Sequence, residues 1–94
     1  MTLTVMGRRV EVKHVSQEEM KQLDKTQDLM GHFNPQDMTI HILSTLDKEI
    51  SKRTLMHELF HAVLAISGLT AMLSDKQEEA VCNVIENLDG YFSL

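Results

Sequence analysis

The stretch Thr54-Leu55-Met56-His57-Glu58-Leu59-Phe60-His61-Ala62-Val63-Leu64 decides how the rest of the chain is read. It is apolar and of helical length, and His-Glu…His interrupts it in the pattern H-E-x-x-H. On an α-helix, residues four apart lie on one face, one turn apart. His57 and His61 therefore point the same way and can hold one metal ion through two neutral imidazoles, a donor pair that suits zinc. Glu58 follows the first histidine directly, where a carboxylate can take a proton from a metal-bound water. Burying such polar groups without partners would be costly, so a bare amphipathic helix explains the pattern poorly.

Caps fix the length of this helix. Asp47 is a suitable N-cap, Glu49 favours the first turn, and Gly68 stands where a left-handed C-cap is wanted, which predicts a helix over 48–66. Ile50, Leu55, Leu59, Ala62, Val63 and Ile66 spread over a wide apolar face, as expected of a central, well-buried helix.

Two protein ligands hold a catalytic zinc weakly, since such sites normally have three and leave one position for water. A three-histidine site would need glycine and histidine after His61 at the places occupied by Leu64 and Ser67, which excludes it. A carboxylate from a second helix is the alternative. Ser74-Asp75-Lys76-Gln77 has capping-box logic and opens a helix with Val81, Ile85, Leu88 and Phe92 at helical spacing. Glu78 extends that stripe backwards and should face the first helix; Glu79 is rotated by about 100° and should be the more solvated. Glu78 is the preferred third ligand and Glu79 the alternative.

Upstream the chain reads as β-structure with one short helix. Leu3, Val5, Val10, Val12 and, less cleanly, Val15 alternate around Met6-Gly7-Arg8, which predicts a hairpin over 2–15 with Gly7 at the turn. His14, at its end, reads as a surface residue. Ser16 and Glu19 form a capping box for a helix over 17–24, with Met20 and Leu23 inward. Residues 24–28 read as loop and 29–33 as a strand. Asn34-Pro35-Gln36-Asp37 is a turn, and 38–43 a strand with Met38, Ile40 and Ile42 on one face and Thr39 and His41 on the other. Gly90 should end the last helix, with 91–94 packing back on the core. His32, His41 and Tyr91 are the available donors for stabilising a developing oxyanion.

The 94 residues suffice for one domain, 1–94, with a thin core. A net charge of −5 argues against nucleic-acid and anionic-membrane partners. No apolar run approaches the ~20 residues that span a bilayer. Cys82 is the only cysteine, which excludes an internal disulfide and fits a reducing compartment. The first residues lack the charged-then-apolar order of a secretory signal, so a cytoplasmic location is expected.

His57-Glu58-Leu59-Phe60-His61 followed by Glu78-Glu79-Ala80-Val81 resembles the zincin metallopeptidases of the glutamate-ligand branch, and the order of elements from about 29 to 90 looks like small phage- and prophage-associated proteins near the ImmA/IrrE-type metallopeptidases. The resemblance covers about the last two-thirds of the chain. It implies an α+β, zincin-like fold: a small antiparallel sheet packed on a central H-E-x-x-H helix and a second ligand-bearing helix. It also implies Zn2+ on His57, His61 and Glu78 (or Glu79), with Glu58 as the base. A peptide or protein substrate follows, added along the sheet edge at 38–43. The rival is a non-catalytic metal-binding module for a protein partner, which the small size and the seven methionines suit. The pattern does not define an oligomeric state.

Overall fold

The computed structural model describes residues 1–23 and 30–88. In chain order the elements are β1 (Thr2–Val5), β2 (Arg8–Val15), α1 (Gln17–Leu23), β3 (Gly31–Asn34), β4 (Thr39–Leu43), α2 (Lys48–Ser67), a 3-10 turn (Leu69–Met72) and α3 (Asp75–Leu88). The expected α+β class holds.

Local chemistry accounts for most of these boundaries. Val5 pairs with Arg8, so β1 and β2 are joined by a two-residue loop, Met6-Gly7. Both loop residues have positive φ, 51° and 79°. That geometry matches the twist of the flanking strands, and glycine adopts it without a Cβ penalty. The capping box at α1 forms as expected: the Glu19 amide donates to Ser16 Oγ at 3.2 Å and the Ser16 amide to Glu19 Oε1 at 3.4 Å. Met20 is buried by this helix, but Leu23, expected inward, is exposed in its last turn. In the β3–β4 turn the Gln36 amide donates to Asn34 Oδ1 at 2.9 Å.

The strands form one sheet in the order β1-β2-β4-β3. Its outer pairs are antiparallel, but β2 and β4 run parallel, with Val12 opposite Ile40. The wholly antiparallel sheet expected from sequence is thus corrected to a mixed one. The reason is connectivity: β2 is followed by α1 and then the β3–β4 hairpin, and β4 rather than β3 docks beside β2. A parallel pair needs such a crossover. The expected edge strand at 38–43 is corrected too. Among the described residues β4 is paired on both sides, and the outer strands are β1 and, next to β4, β3. Ile40 and Ile42, 0% and 1% exposed, favour this interior place, at roughly 1.5–3 kcal/mol for each buried side chain.

The main core joins Val10, Val12, Ile40 and Ile42 of the sheet to Ala62 of α2, with Phe33, Leu55 and Leu59 packed around them. α2 therefore covers this face. Its ends are as expected. Asp47 accepts from the Ile50 amide at 2.9 Å, and Gly68 adopts φ 84° as the left-handed cap. Ile50, assigned to the apolar face from sequence, is instead exposed in the first turn, while Thr54, Glu58 and Leu64 are buried. On α3, Ser74 and Gln77 cap each other as expected. The buried stripe, however, runs through Glu78, Cys82 and Ile85; Val81 sits on its flank and is exposed. Residues 89–94, with Gly90, Tyr91 and Phe92, and the expected loop at 24–28 with Leu29 lie outside the described residues. Among those described, no helix is long and apolar enough to cross a membrane.

Candidate metal centre

Helix α2 brings His57 and His61 together as the spacing requires. Their ring centroids are 5.0 Å apart and their Nε2 atoms 3.2 Å apart. Two nitrogens at 2.0–2.1 Å from a tetrahedral ion stand about 3.3 Å apart. The pair is therefore already at ligand separation. Both side chains are largely shielded, 13% and 16% exposed.

Helix α3 supplies the acidic partners, and both candidate glutamates reach the histidines from different sides. Glu78 Oε2 accepts from His61 Nδ1 at 2.5 Å. This bond fixes the ring and leaves the Nε2 lone pair facing His57. Glu79 approaches that side: its Oε1 lies 2.7 Å from His57 Nε2 and its Oε2 3.3 Å from His61 Nε2. Burial follows the sequence expectation, with Glu78 inward at 17% exposed and Glu79 at 54%. Two lone-pair nitrogens and a carboxylate converging on one point repel one another unless a cation lies between them. A proton on His57 Nε2 or a metal ion meets that need.

Cys82 joins the same group. His57, His61 and Cys82 each offer a ligand atom, all within 4.8 Å of one another, so these three residues could hold a metal ion. Sequence reasoning missed Cys82. The signal was there: it lies four residues after Glu78 and three after Glu79, on the face of α3 that carries Glu78.

Glu58 is buried, at 8% exposed. It lies where β3 comes closest to α2. A Cβ on Gly31 would stand 2.6 Å from Thr54 Cγ2 and 3.0 Å from Glu58 Cγ. Only glycine permits this approach, and it is the close contact rather than the backbone angle that demands it. Between β3, α2 and the start of α3 opens a cleft of about 630 Å³, lined by Glu58, His61, Glu78 and Glu79 on the helices and by Gly31 and His32 on the strand.

The other histidines are placed differently. His32 and His41 are cross-strand partners with ring centroids 6.4 Å apart. Since residue 31 faces α2, strand alternation turns both imidazoles toward the opposite face of the sheet. Their Nδ1 atoms are buried with no hydrogen-bond partner among the described residues. Burial, and then the neighbouring His32, lowers the pKa of His41. His32 nevertheless borders the cleft beside Glu58 and His61, whereas His41 is not among its lining residues. His14 is exposed, as expected, and Tyr91 lies outside the described residues.

No protein-family model matches the chain, and no curated protein matches it.

Proposed function

We propose that this protein is a minimal zinc-dependent metallopeptidase, similar to zincins of the glutamate-ligand branch and to small phage-associated ImmA/IrrE-type enzymes. One observation carries the proposal. The Nε2 atoms of His57 and His61 converge to 3.2 Å beside the Glu79 carboxylate, and Glu58 lines the same cleft. Nitrogen and carboxylate donors of this kind fit Zn2+, which when bound lowers the pKa of its water toward ~7 and polarises a carbonyl.

The chain's own residues divide the remaining work. His57 and His61 are the nitrogen ligands. The contacts around His61 favour Glu79 over Glu78 as the carboxylate ligand. Glu78 instead holds His61 Nδ1–H and so orients the ring, as outer carboxylates do for metal-bound histidines. Glu58 takes the proton of the attacking water and passes it to the leaving amine. The outer strand β3 gives an extended peptide a row of backbone groups to pair with, beside the cleft. A reducing, cytoplasmic setting would keep Cys82 reduced and available as a ligand.

The test is Glu58→Gln. The variant should retain its zinc and lose cleavage of a degenerate peptide library, followed by mass spectrometry, by roughly 10²–10⁴-fold. Undiminished cleavage removes Glu58 from the mechanism.

A second role, that of a non-catalytic metal-bearing interaction module, is favoured by the donor count. His57, His61, Cys82 and Glu79 are four potential ligands, and closed four-ligand sites are structural ones. One zinc per chain with no cleavage of any library peptide would decide for this role.

A further inference from the structure

The buried stripe of α3 carries a thiol beside the carboxylates. Cys82 is 0% exposed, and its sulfur lies within 4.8 Å of ligand nitrogens on both His57 and His61. We infer that Cys82 is a resident ligand of the metal centre and that Glu79 is the exchangeable one. This inference rests on the two-histidine metal centre proposed above and puts Cys82 in place of Glu79 as its constant third ligand.

The chemistry of the donor set supports the division. A tetrahedral ion with Zn–S about 2.3 Å and Zn–N about 2.0–2.1 Å separates sulfur from nitrogen by about 3.6 Å, inside the observed limit of 4.8 Å. Small side-chain movements therefore bring the thiol into bonding range. Cys82 is held by a fully buried position in the middle of a helix that packs on α2. Glu79 has a long side chain, more than half exposed, and can leave the centre without disturbing the core. His57, His61 and Cys82 would stay as three ligands whether or not Glu79, which lies against both histidines and lines the cleft, also binds. Access to the centre is thus governed by one surface carboxylate, while the thiolate keeps the ion in place. Metal binding would replace the S–H bond of Cys82 by a sulfur–metal bond and release the proton to solvent, because the thiolate is the ligand form.

The softer sulfur donor also biases the centre toward zinc and against magnesium, calcium or manganese. Cobalt(II) serves as a spectroscopic substitute for zinc in the full chain. Wild type should show tetrahedral d–d bands and a near-ultraviolet thiolate-to-cobalt charge-transfer band. Cys82→Ser should keep d–d absorption, lose the charge-transfer band and bind zinc at least tenfold more weakly in a chelator competition. Glu79→Gln should keep the charge-transfer band. Wild-type protein that binds cobalt without that band overturns the inference and leaves the histidine centre standing. Loss of the band in Glu79→Gln with the metal still bound would also overturn it. Wild-type protein that binds no cobalt or zinc overturns the metal-centre reading itself. The wild-type spectrum decides even if the serine variant does not fold.

Discussion

His61 Nδ1–H donates to Glu78 Oε2 at 2.5 Å, across the gap between α2 and α3. The bond ties the two helices together at the one ring whose other nitrogen faces His57, so the orientation of a candidate ligand depends on a residue of a different helix. Glu78→Gln should keep the fold but weaken zinc binding by ~10–100-fold, the usual cost of removing such an outer carboxylate. Competition with a chromophoric chelator measures it. Unchanged affinity would mean that Glu78 does not orient the ring.

Gly31 sets the distance between β3 and α2. Gly31→Ala forces a methyl group to 2.6 Å from Thr54 Cγ2 and 3.0 Å from Glu58 Cγ. The strand must move off the helix, at a cost of about 1–3 kcal/mol. Urea unfolding of the metal-free variant should show the loss, and peptide cleavage should fall beyond it because Glu58 shifts. Wild-type stability in Gly31→Ala would contradict the close packing described here.

The proposed zinc centre should add stability to a core this thin. Zinc at a hundredfold excess over its dissociation constant adds ~2.7 kcal/mol of stability. For a domain of this size each kcal/mol moves Tm by about 4–8 °C. Chelation should therefore lower Tm by roughly 10–20 °C, and zinc should restore it. In His57→Ala the chelator should have no effect on Tm.

The His32–His41 pair predicts a pH dependence that is independent of the metal. The folded-state pKa of His41 lies below its ordinary value of 6.5, because burial and the neighbouring His32 oppose its charge. Between these two values the unfolded chain binds more protons than the folded one. The resulting stability is full above pH 6.5 and is lost as pH falls through the folded pKa. Metal-free protein should show a falling urea midpoint from pH 7.5 to 5.5, with a shallower fall in His41→Gln. An equal slope in both proteins would show that His41 contributes nothing.

Signals written within a few residues were legible from sequence. Ser16–Glu19, Asp47–Ile50 and Ser74–Gln77 are short-range bonds, and Gly7 and Gly68 carry their backbone angles with them. The pairing of His57 with His61 belongs to the same class, since one helical turn determines it. What required the structure is non-local. The parallel register of β2 on β4 depends on which strand of the second hairpin docks, and two hydrophobic strands of similar composition do not announce the choice. Glu78 and Glu79 both reach His61, and only the rotation of α3 on α2 decides which nitrogen each one meets. Cys82 is hard to place from sequence because Val81 gives the more apolar stripe, although α3 buries the face one residue on.

Elemental analysis of purified wild-type protein beside His57→Ala tests for a metal centre built across α2 and α3. Wild-type protein should carry about one zinc per chain and the variant should lose it, with circular dichroism showing both proteins folded. Folded wild-type protein that carries no zinc and takes none up on addition, or zinc retained in full by His57→Ala, would contradict it.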